Sequence, residues 1–527
     1  MNERDSEEVL GMLTAQGYEI AEQPEAADVI LLNTCSVRQH AEDRAMGKMF
    51  ELSELKTERP DLVLGIIGCM AKLRQDKMFK RLPRLDLVAG PAELYDLPYL
   101  LAEIQEKRQH PALSTQHSEK TLVVGRQFRP LDQKPAGDYR KPGVRAFVAI
   151  MEGCDKACTY CIVPKTRGQE ISRPAEEIIA EIQALHRAGY QDVTLLGQNV
   201  NSYGKRFPDG SGYRGPLGRM RLLEEDPDSL LDFPTLLRMI DREIQCGAPA
   251  ASARSDARSG RSPCSEAATN SAPGRGAIEQ VAAAQEQFAA GSLSSQFARR
   301  SLGRSARSPS LRIRFTTSHP FDANERLFRA MAECGSVCEQ LHLPVQSGSN
   351  RILRAMRRGY TAEQYLAKIR QLRALIPDIS LSTDIIVGFP GETDEDFQAT
   401  AHLLEEVRFE NAYIFKYSPR PGTDAAARED DVPQEVKEQR NQTLLALKGE
   451  IEARYYRAFE GQVVEILIEE RGRFARQWFG RTRGNHGVIV ESSRELFGQA
   501  ILVRITRATA HTLFGTHEAA ASCAVAA

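Results

Sequence analysis

The stretch Ala146-Phe147-Val148-Ala149-Ile150-Met151-Glu152-Gly153-Cys154-Asp155-Lys156-Ala157-Cys158-Thr159-Tyr160-Cys161 decides how the rest of the chain is read. Ala146–Met151 is a continuous apolar run of strand length. Three thiols follow it directly, spaced Cys154-x3-Cys158-x2-Cys161. Soft thiolates select iron–sulfur clusters or zinc. A structural zinc site takes four ligands, usually as two CxxC-like pairs, and this loop offers three, so the zinc reading needs a distant fourth ligand. A cubane cluster held by three cysteines keeps one iron open for a substrate or cofactor. That open iron is what radical chemistry requires.

Working outward, this run is the first of six strand candidates. Asp192–Leu196, Arg312–Thr316, Gln340–Pro344, Ile379–Val387 and Asn411–Tyr417 follow, with helical spacing between most of them, as at Ala175–Ala188 and Thr361–Leu375. About six βα units predict an open or partial (β/α) barrel over residues 144–455, with ligands gathered at the C-terminal ends of its strands. Residues 1–105 predict a separate α/β unit. A helix at Ser6–Gln16 precedes short apolar runs at Asp28–Leu32, Leu62–Ile67 and Leu85–Ala89. Such runs mark a parallel sheet covered on both faces. Cys35 and Cys69 sit just past the first two runs, where open α/β sheets bind ligands; two small buried thiols are the plainer reading.

Residues 106–143 are polar with several prolines and read as a linker. Residues 204–229 and 247–310 interrupt the barrel pattern, and the second, mostly Ala, Ser, Arg, Gly and Pro, lacks the apolar content for a core. Cys246 and Cys264 have no ligand-like neighbours, and Cys334-x3-Cys338 lacks a third thiol, so these read as packing or idle residues. From residue 456 to 518 the pattern alternates as β, at Val463–Leu467, Gly487–Glu491 and Ala500–Thr506, with Gly-rich turns between. A small five-stranded barrel is expected there, and residues 519–527, with Cys523, form a tail. Overall the expected class is α/β: an N-terminal open parallel domain, a partial (β/α)6 barrel and a C-terminal small β-barrel.

The composition bounds the function. Across 527 residues, 69 basic against 71 acidic side chains give a formal charge of -2, which excludes a polycation and leaves nucleic-acid contact to local patches. The mean hydropathy is -0.39 and no apolar run approaches a membrane span. The first residues lack the pattern of a signal peptide, so the cytoplasm is expected. There, cysteines serve metals or catalysis before disulfides.

The CxxxCxxC loop after the first barrel strand, with Tyr160 before its last cysteine, resembles the radical S-adenosylmethionine (SAM) enzymes. Further strings follow later strands: Leu195-Leu196-Gly197-Gln198-Asn199-Val200-Asn201-Ser202-Tyr203, Phe315-Thr316-Thr317-Ser318-His319-Pro320, His342-Leu343-Pro344-Val345-Gln346-Ser347-Gly348-Ser349, Ser382-Thr383-Asp384 through Gly388-Phe389-Pro390-Gly391, and Tyr417-Ser418-Pro419-Arg420-Pro421-Gly422. Their glycines let a ligand approach the backbone, and Gln198, Asn199, Gln346 and Asp384 offer hydrogen bonds. Taken alone, His319 and His342 read as structural histidines. Together the strings resemble the methylthiotransferase family, and its tRNA-modifying branch over the branch acting on a ribosomal protein.

The resemblance implies methylthiolation of C2 of N6-isopentenyladenosine at position 37 of tRNA, giving 2-methylthio-N6-isopentenyladenosine and consuming two molecules of SAM. It implies a [4Fe-4S] cluster on Cys154, Cys158 and Cys161, with Tyr160, Gly197, Gln198, Asn199, Gln346 and Asp384 toward SAM. A second [4Fe-4S] cluster, the sulfur source, would use Cys35 and Cys69 with a third family cysteine. That third cysteine belongs to a Gly-Cys-Gln-Met-Asn string that would lie just before Met1, together with a first strand. The expectation is therefore a start assigned at an internal methionine, or else a second cluster short of one ligand. The C-terminal barrel resembles the RNA-binding TRAM domain, with Arg471, Arg473, Arg476, Arg481, Arg483, Arg494, Arg504 and Arg507 for phosphates and Trp478, Phe479 and Phe497 for bases. Glu469, Glu470, Glu491 and Glu495 offset half of that charge, which a solvated face would also show. The implied partners are tRNA and an electron donor such as flavodoxin or ferredoxin, for a monomer. The alternatives are another target, a threonylcarbamoyladenosine tRNA or a ribosomal protein, or a catalytically impaired RNA-binding member.

Overall fold

Val63–Gly68 is buried at every position, because both faces of the sheet it centres are covered. In the computed structural model, which describes residues 1–35, 39–109, 120–125, 139–207, 231–246 and 311–518, strands β1 (Val29–Thr34), β2 (Val63–Gly68), β3 (Leu87–Ala89) and β4 (Thr121–Val123) form a parallel sheet in that order. Side chains alternate across β2. Val63 and Ile67 pack with Val9, Met12 and Leu13 of the helix Asn2–Ala15 and with Leu97, Leu101 and Ile104 of the helix Leu97–Gln109. Leu64 and Ile66 pack on the opposite face with Met49, Met70, Met78 and Leu82.

Two boundaries differ from the sequence expectation. The helix Leu97–Gln109 runs past residue 105, and β4 lies inside the stretch expected to be a linker. Three residues are too few for a periodicity to register. Thr121–Val123 becomes a strand only because the edge of β3 offers it backbone partners.

The central unit follows the expected order closely. Strands β5 (Arg145–Ala149), β8 (Asp192–Leu196) and β9 (Arg312–Thr316) form one parallel sheet. Strands β10 (Gln340–His342), β11 (Ser380–Val387) and β12 (Asn411–Lys416) form a second. A parallel bridge between Ile313 and Val337 joins the two into a partial barrel. A two-residue hairpin, β6 (Met151–Glu152) with β7 (Ile171–Ser172), projects from the end of β5. The helices Ala175–Arg187, Phe233–Cys246, Glu325–Glu333, Ala362–Leu375 and Asp394–Val407 cover the outside. Thr361 and Thr393 close capping boxes with Gln364 and Asp396. One continuous core, from Val148 and Val193 to Ile385 and Leu404, fills the interior. The expected insertions at 204–229 and 247–310, Cys264 and the tail lie outside the described residues, apart from 204–207.

A long helix, Gln434–Arg457, leads to a closed five-stranded barrel. Its strands are β13 (Val463–Arg471), β14 (Gln477–Thr482), β15 (Gly487–Glu491), β16 (Ala500–Ala508) and β17 (Leu513–His517), ordered β13-β14-β15-β17-β16. This barrel docks at the N-terminal ends of the central strands. Arg312 pairs with Glu465 at 2.8 Å and donates to the Arg481 carbonyl, while Arg314 pairs with Asp192 at 2.8 Å and donates to the carbonyls of Thr482 and Arg483. The opposite, C-terminal ends of the strands are thereby left to the cysteine loop. Among the described residues no helix is long and apolar enough to cross a membrane.

Candidate functional site

The β6–β7 hairpin clamps the cysteine loop at its base. Gly153, at φ +79°, turns the chain into the loop, and a Cβ there would lie 1.9 Å from the Gln169 carbonyl oxygen. No side chain fits that approach. The Gly153 N–H donates to the Gln198 amide oxygen at 2.5 Å and the Cys154 N–H to the Gly168 carbonyl at 3.1 Å. The far side of the loop is held by Thr159, whose N–H reaches the Met356 carbonyl at 3.1 Å and whose carbonyl accepts from Ala425 at 2.8 Å. Cys154, Cys158 and Cys161 then face a cavity of about 810 Å³, rimmed by Lys156, Lys165, Arg206 and Arg357.

Burial pushes the Cys154 thiol up to about 12 and the Cys161 thiol up to about 11. Both gain from a ligand that takes their protons, as an iron cluster does. Cys158 receives a hydrogen bond from Arg358 Nη1 at 3.4 Å, and His319 Nε2 lies 3.7 Å from its sulfur. Cys35, Cys69, Cys154, Cys158, Cys161, Cys334 and Cys338 are free of disulfides. Among the described residues no three Cys, His, Asp or Glu side chains converge on the scale of a single metal ion. The donor set fits a cubane, in which each thiolate meets its own iron.

The N-terminal cysteines are built in the same way. Thr34 and Gly68 are register partners of β1 and β2, so the residues that follow them, Cys35 and Cys69, emerge side by side. Gly68 has φ +91°, and a Cβ there would lie 2.4 Å from the Asn33 side-chain oxygen and 2.9 Å from the Thr34 carbonyl. Burial raises the Cys69 pKa, and the neighbouring Arg167 guanidinium opposes that rise. Arg167 is buried between the two cysteine groups. It donates to Glu152 at 2.7 Å, to Asp5 at 2.5 Å and to the Asn2 side-chain oxygen at 3.2 Å. Two adjacent thiols beside a buried cation suit a thiolate-bound cluster.

Of the residues expected near SAM, Gly197, Gln198 and Asn199 follow β8, Gln346 lies beyond β10, Asp384 lies within β11 and Tyr160 in the cysteine loop, and they are used differently. Gly197 closes against Met151, whose Cγ would be 2.5 Å from an added Cβ. Gln198 holds the cysteine loop, as above. Asn199 is spent within the protein: its oxygen accepts from the His319 N–H at 3.1 Å and its nitrogen donates to Asp322 at 2.6 Å. Gln346, at φ +72°, donates its N–H to the Asp384 carbonyl at 2.8 Å, and the Asp384 carboxylate lies 3.5 Å from His342 Nε2. Tyr160 packs against the cluster of Ile352, Met356, Phe389 and Tyr417. Burial raises its pKa well above the usual phenol range, and the nearby Arg358 opposes the rise.

The sequence reading did not single out Arg167, Glu170, Asp322 or Arg358. Glu170, pushed up to about 7 by burial against the opposing pull of Lys205, accepts from the Ser202 hydroxyl at 2.6 Å. Asp322 pairs with Lys156 at 2.8 Å. No short motif contains these contacts, because each partner arrives from a different strand end.

The C-terminal barrel divides the eight expected arginines. Arg483 fastens it to the central unit, pairing with Glu339 at 2.8 Å and donating to the Val337 carbonyl at 2.6 Å. Arg471, Arg481 and Arg504 pair with Glu495, Glu469 and Glu518. Arg473, Arg476, Arg494 and Arg507 have no carboxylate partner among the described residues. One expectation is corrected here. Trp478 is 2% exposed and belongs to the barrel core, because even positions of β14 point inward, so it cannot stack on a base. Phe474 and Phe497 are the exposed aromatics. Cys334 and Cys338 are buried packing residues, as expected.

Residues 1–90 match a family described as Uncharacterized protein family UPF0004, residues 148–243 and 286–404 match the Radical SAM superfamily, and residues 457–517 match the TRAM domain. A tRNA-2-methylthio-N(6)-dimethylallyladenosine synthase of Geobacillus thermodenitrificans is 39% identical over 521 residues, covering 98% of this chain and 81% of that protein. The synthase of the same name from Akkermansia muciniphila is 37% identical over 522 residues, covering 98% and 96%. Among solved structures, the radical S-adenosylmethionine methyltransferase TsrM from Kitasatospora setae aligns over 76% of this chain and 65% of its own, with 14% identity and a TM-score of 0.45.

Proposed function

Since this chain belongs to the family of tRNA-2-methylthio-N(6)-dimethylallyladenosine synthases within the radical SAM superfamily, we propose how its own residues divide the work of methylthiolating C2 of N6-isopentenyladenosine 37 in tRNA. Cys154, Cys158 and Cys161 hold a [4Fe-4S] cluster, and Cys35 and Cys69 hold part of a second. Bound there, the first cluster and SAM would supply the radical chemistry that the unactivated adenine C2–H requires, and the second cluster would supply sulfur.

The protein's part is positioning. Gly153 and Gln198 fix the loop so that the three thiols face one cavity. Asn199 fixes the His319 backbone beside it. Gln346, beyond β10, and Asp384, within β11 beside it, present polar groups to the barrel. Lys156, Lys165, Arg206 and Arg357 give the cavity a cationic rim suited to a phosphate backbone. The C-terminal barrel adds Arg473, Arg476, Arg494 and Arg507 with Phe474 and Phe497, the combination that grips single-stranded RNA. A soluble one-electron donor of the flavodoxin or ferredoxin type and a monomeric, cytoplasmic enzyme complete the reading.

One observation carries the assignment: three thiols on one short loop facing one cavity at the C-terminal end of a parallel barrel. The test uses the full chain after anaerobic reconstitution. Cys154→Ala/Cys158→Ala/Cys161→Ala loses formation of 5′-deoxyadenosine from SAM and reductant. Cys35→Ala/Cys69→Ala keeps it and loses 2-methylthio product. SAM cleavage that persists in the triple variant overturns the assignment.

A further inference from the structure

Arg358 is 5% exposed, and its guanidinium has no carboxylate partner among the described residues. Its nitrogens go to the Pro344 carbonyl at 2.8 Å, the Tyr360 hydroxyl at 3.0 Å and the Cys158 sulfur at 3.4 Å. A buried cation is costly unless an anion faces it. Of the three groups it donates to, the Cys158 sulfur is the one that a bound iron cluster would hold as a thiolate. His319 approaches the same sulfur from the other side, at 3.7 Å from Nε2. Its tautomer follows from its second nitrogen. Nδ1 accepts the Phe321 backbone N–H at 3.2 Å, so the proton of the neutral ring resides on Nε2 and points at the sulfur. Both side chains are held rigidly. Tyr360 and Pro344 fix Arg358, and Asn199 fixes the His319 backbone at 3.1 Å.

We propose that Arg358 and His319 are positioning residues that set the reduction potential of the cluster on Cys154, Cys158 and Cys161. Two N–H donors converge on one ligand sulfur, and one of them carries a full positive charge. Reduction places one electron from a low-potential one-electron donor on the cluster and moves no proton, so the cluster gains one negative charge. A fixed cation and N–H···S hydrogen bonds stabilise that added charge and raise the potential. Both side-chain donors are aimed at Cys158, whereas Cys154 and Cys161 receive backbone N–H groups, from Lys156 and Val163. This inference rests on the cluster assignment above.

The experiment is a redox titration followed by electron paramagnetic resonance, without SAM, on full-length protein carrying Cys35→Ala/Cys69→Ala so that only one cluster reports. Arg358→Met lowers the ratio of reduced to oxidised cluster about tenfold at a fixed solution potential, equivalent to about 59 mV for one electron. Arg358→Lys, which keeps the charge, shifts it less, and His319→Phe shifts it in the same direction as Arg358→Met. Iron content equal to that of the parent shows that each variant still holds its cluster. If Arg358→Met does not assemble a cluster, Arg358→Lys and His319→Phe carry the test. Unchanged potentials at full iron content overturn the inference. Iron that persists when Cys154, Cys158 and Cys161 are also replaced overturns the underlying assignment instead.

Discussion

Glu152 and Arg167 form a buried ion pair, 2.7 Å between carboxylate and guanidinium, that joins the residue two before Cys154 to the residue six beyond Cys161. The pair closes the cysteine loop at its base. Because Arg167 also pairs with Asp5, which is fully buried, and adjoins Cys69, the same guanidinium ties the loop to the N-terminal domain.

Removing that cation takes away an ion-pair partner that two buried carboxylates share. Arg167→Met is expected to destabilise the apo-protein by about 3–5 kcal/mol, the cost of breaking a buried pair from one side. Urea unfolding measures it. A midpoint within error of the parent would show that Glu152 and Asp5 find other partners.

Gly153→Ala carries a different penalty. A φ of +79° strains any side chain by about 1–3 kcal/mol, and the added Cβ must also displace the Gln169 backbone. Reconstituted iron should fall while the far-UV circular dichroism of the N-terminal and C-terminal domains persists. Full iron loading in Gly153→Ala would mean the hairpin opens without consequence for the loop.

Glu170 makes stability depend on pH. Its carboxyl is raised from 4.5 to about 7, burial being the main cause. Between those values the folded protein holds a proton that the unfolded chain has released, so stability falls as pH rises through this window and levels off above it. At about 1.4 kcal/mol per pKa unit, the loss is on the order of 3 kcal/mol in the apo-protein. Glu170→Gln, which resembles the protonated form, should flatten the profile between pH 5 and pH 7. An unchanged slope would assign the pH dependence to other groups.

The C-terminal arginines separate by role. Arg473→Ala and Arg507→Ala should each weaken tRNA binding and reduce the slope of log affinity against log salt by about 1. Arg483→Ala should instead lower the unfolding midpoint with little effect on that slope, since its guanidinium is committed to Glu339 and the Val337 carbonyl. The reverse pattern would place the RNA on the face of the barrel turned toward the central unit.

Much of this was legible from residue order. The strand Asp192–Leu196 appears where its largely apolar run puts it, because a parallel strand buried on both faces has no polar side to blur the pattern. The Cys-x3-Cys-x2-Cys loop is a local feature, and its spacing is visible without the fold. The strand Thr121–Val123 was illegible because three residues carry no period. Trp478 was misread because one alternating strand does not say which of its faces is inside.

The sequence by itself determined the chemistry of the donors: three thiols on one short loop, two more each just past a strand, and the order along the chain of the strands that carry them. Those are properties of neighbours in the chain, set by residue type and spacing. Only the tertiary structure decided what surrounds the thiols. Arg358 is 200 residues from Cys158 and His319 is 161, and Asp5 meets Arg167 across 162. Contacts at that separation are made by the closure of the parallel strands, which brings their C-terminal ends to one place. No spacing along the chain encodes them.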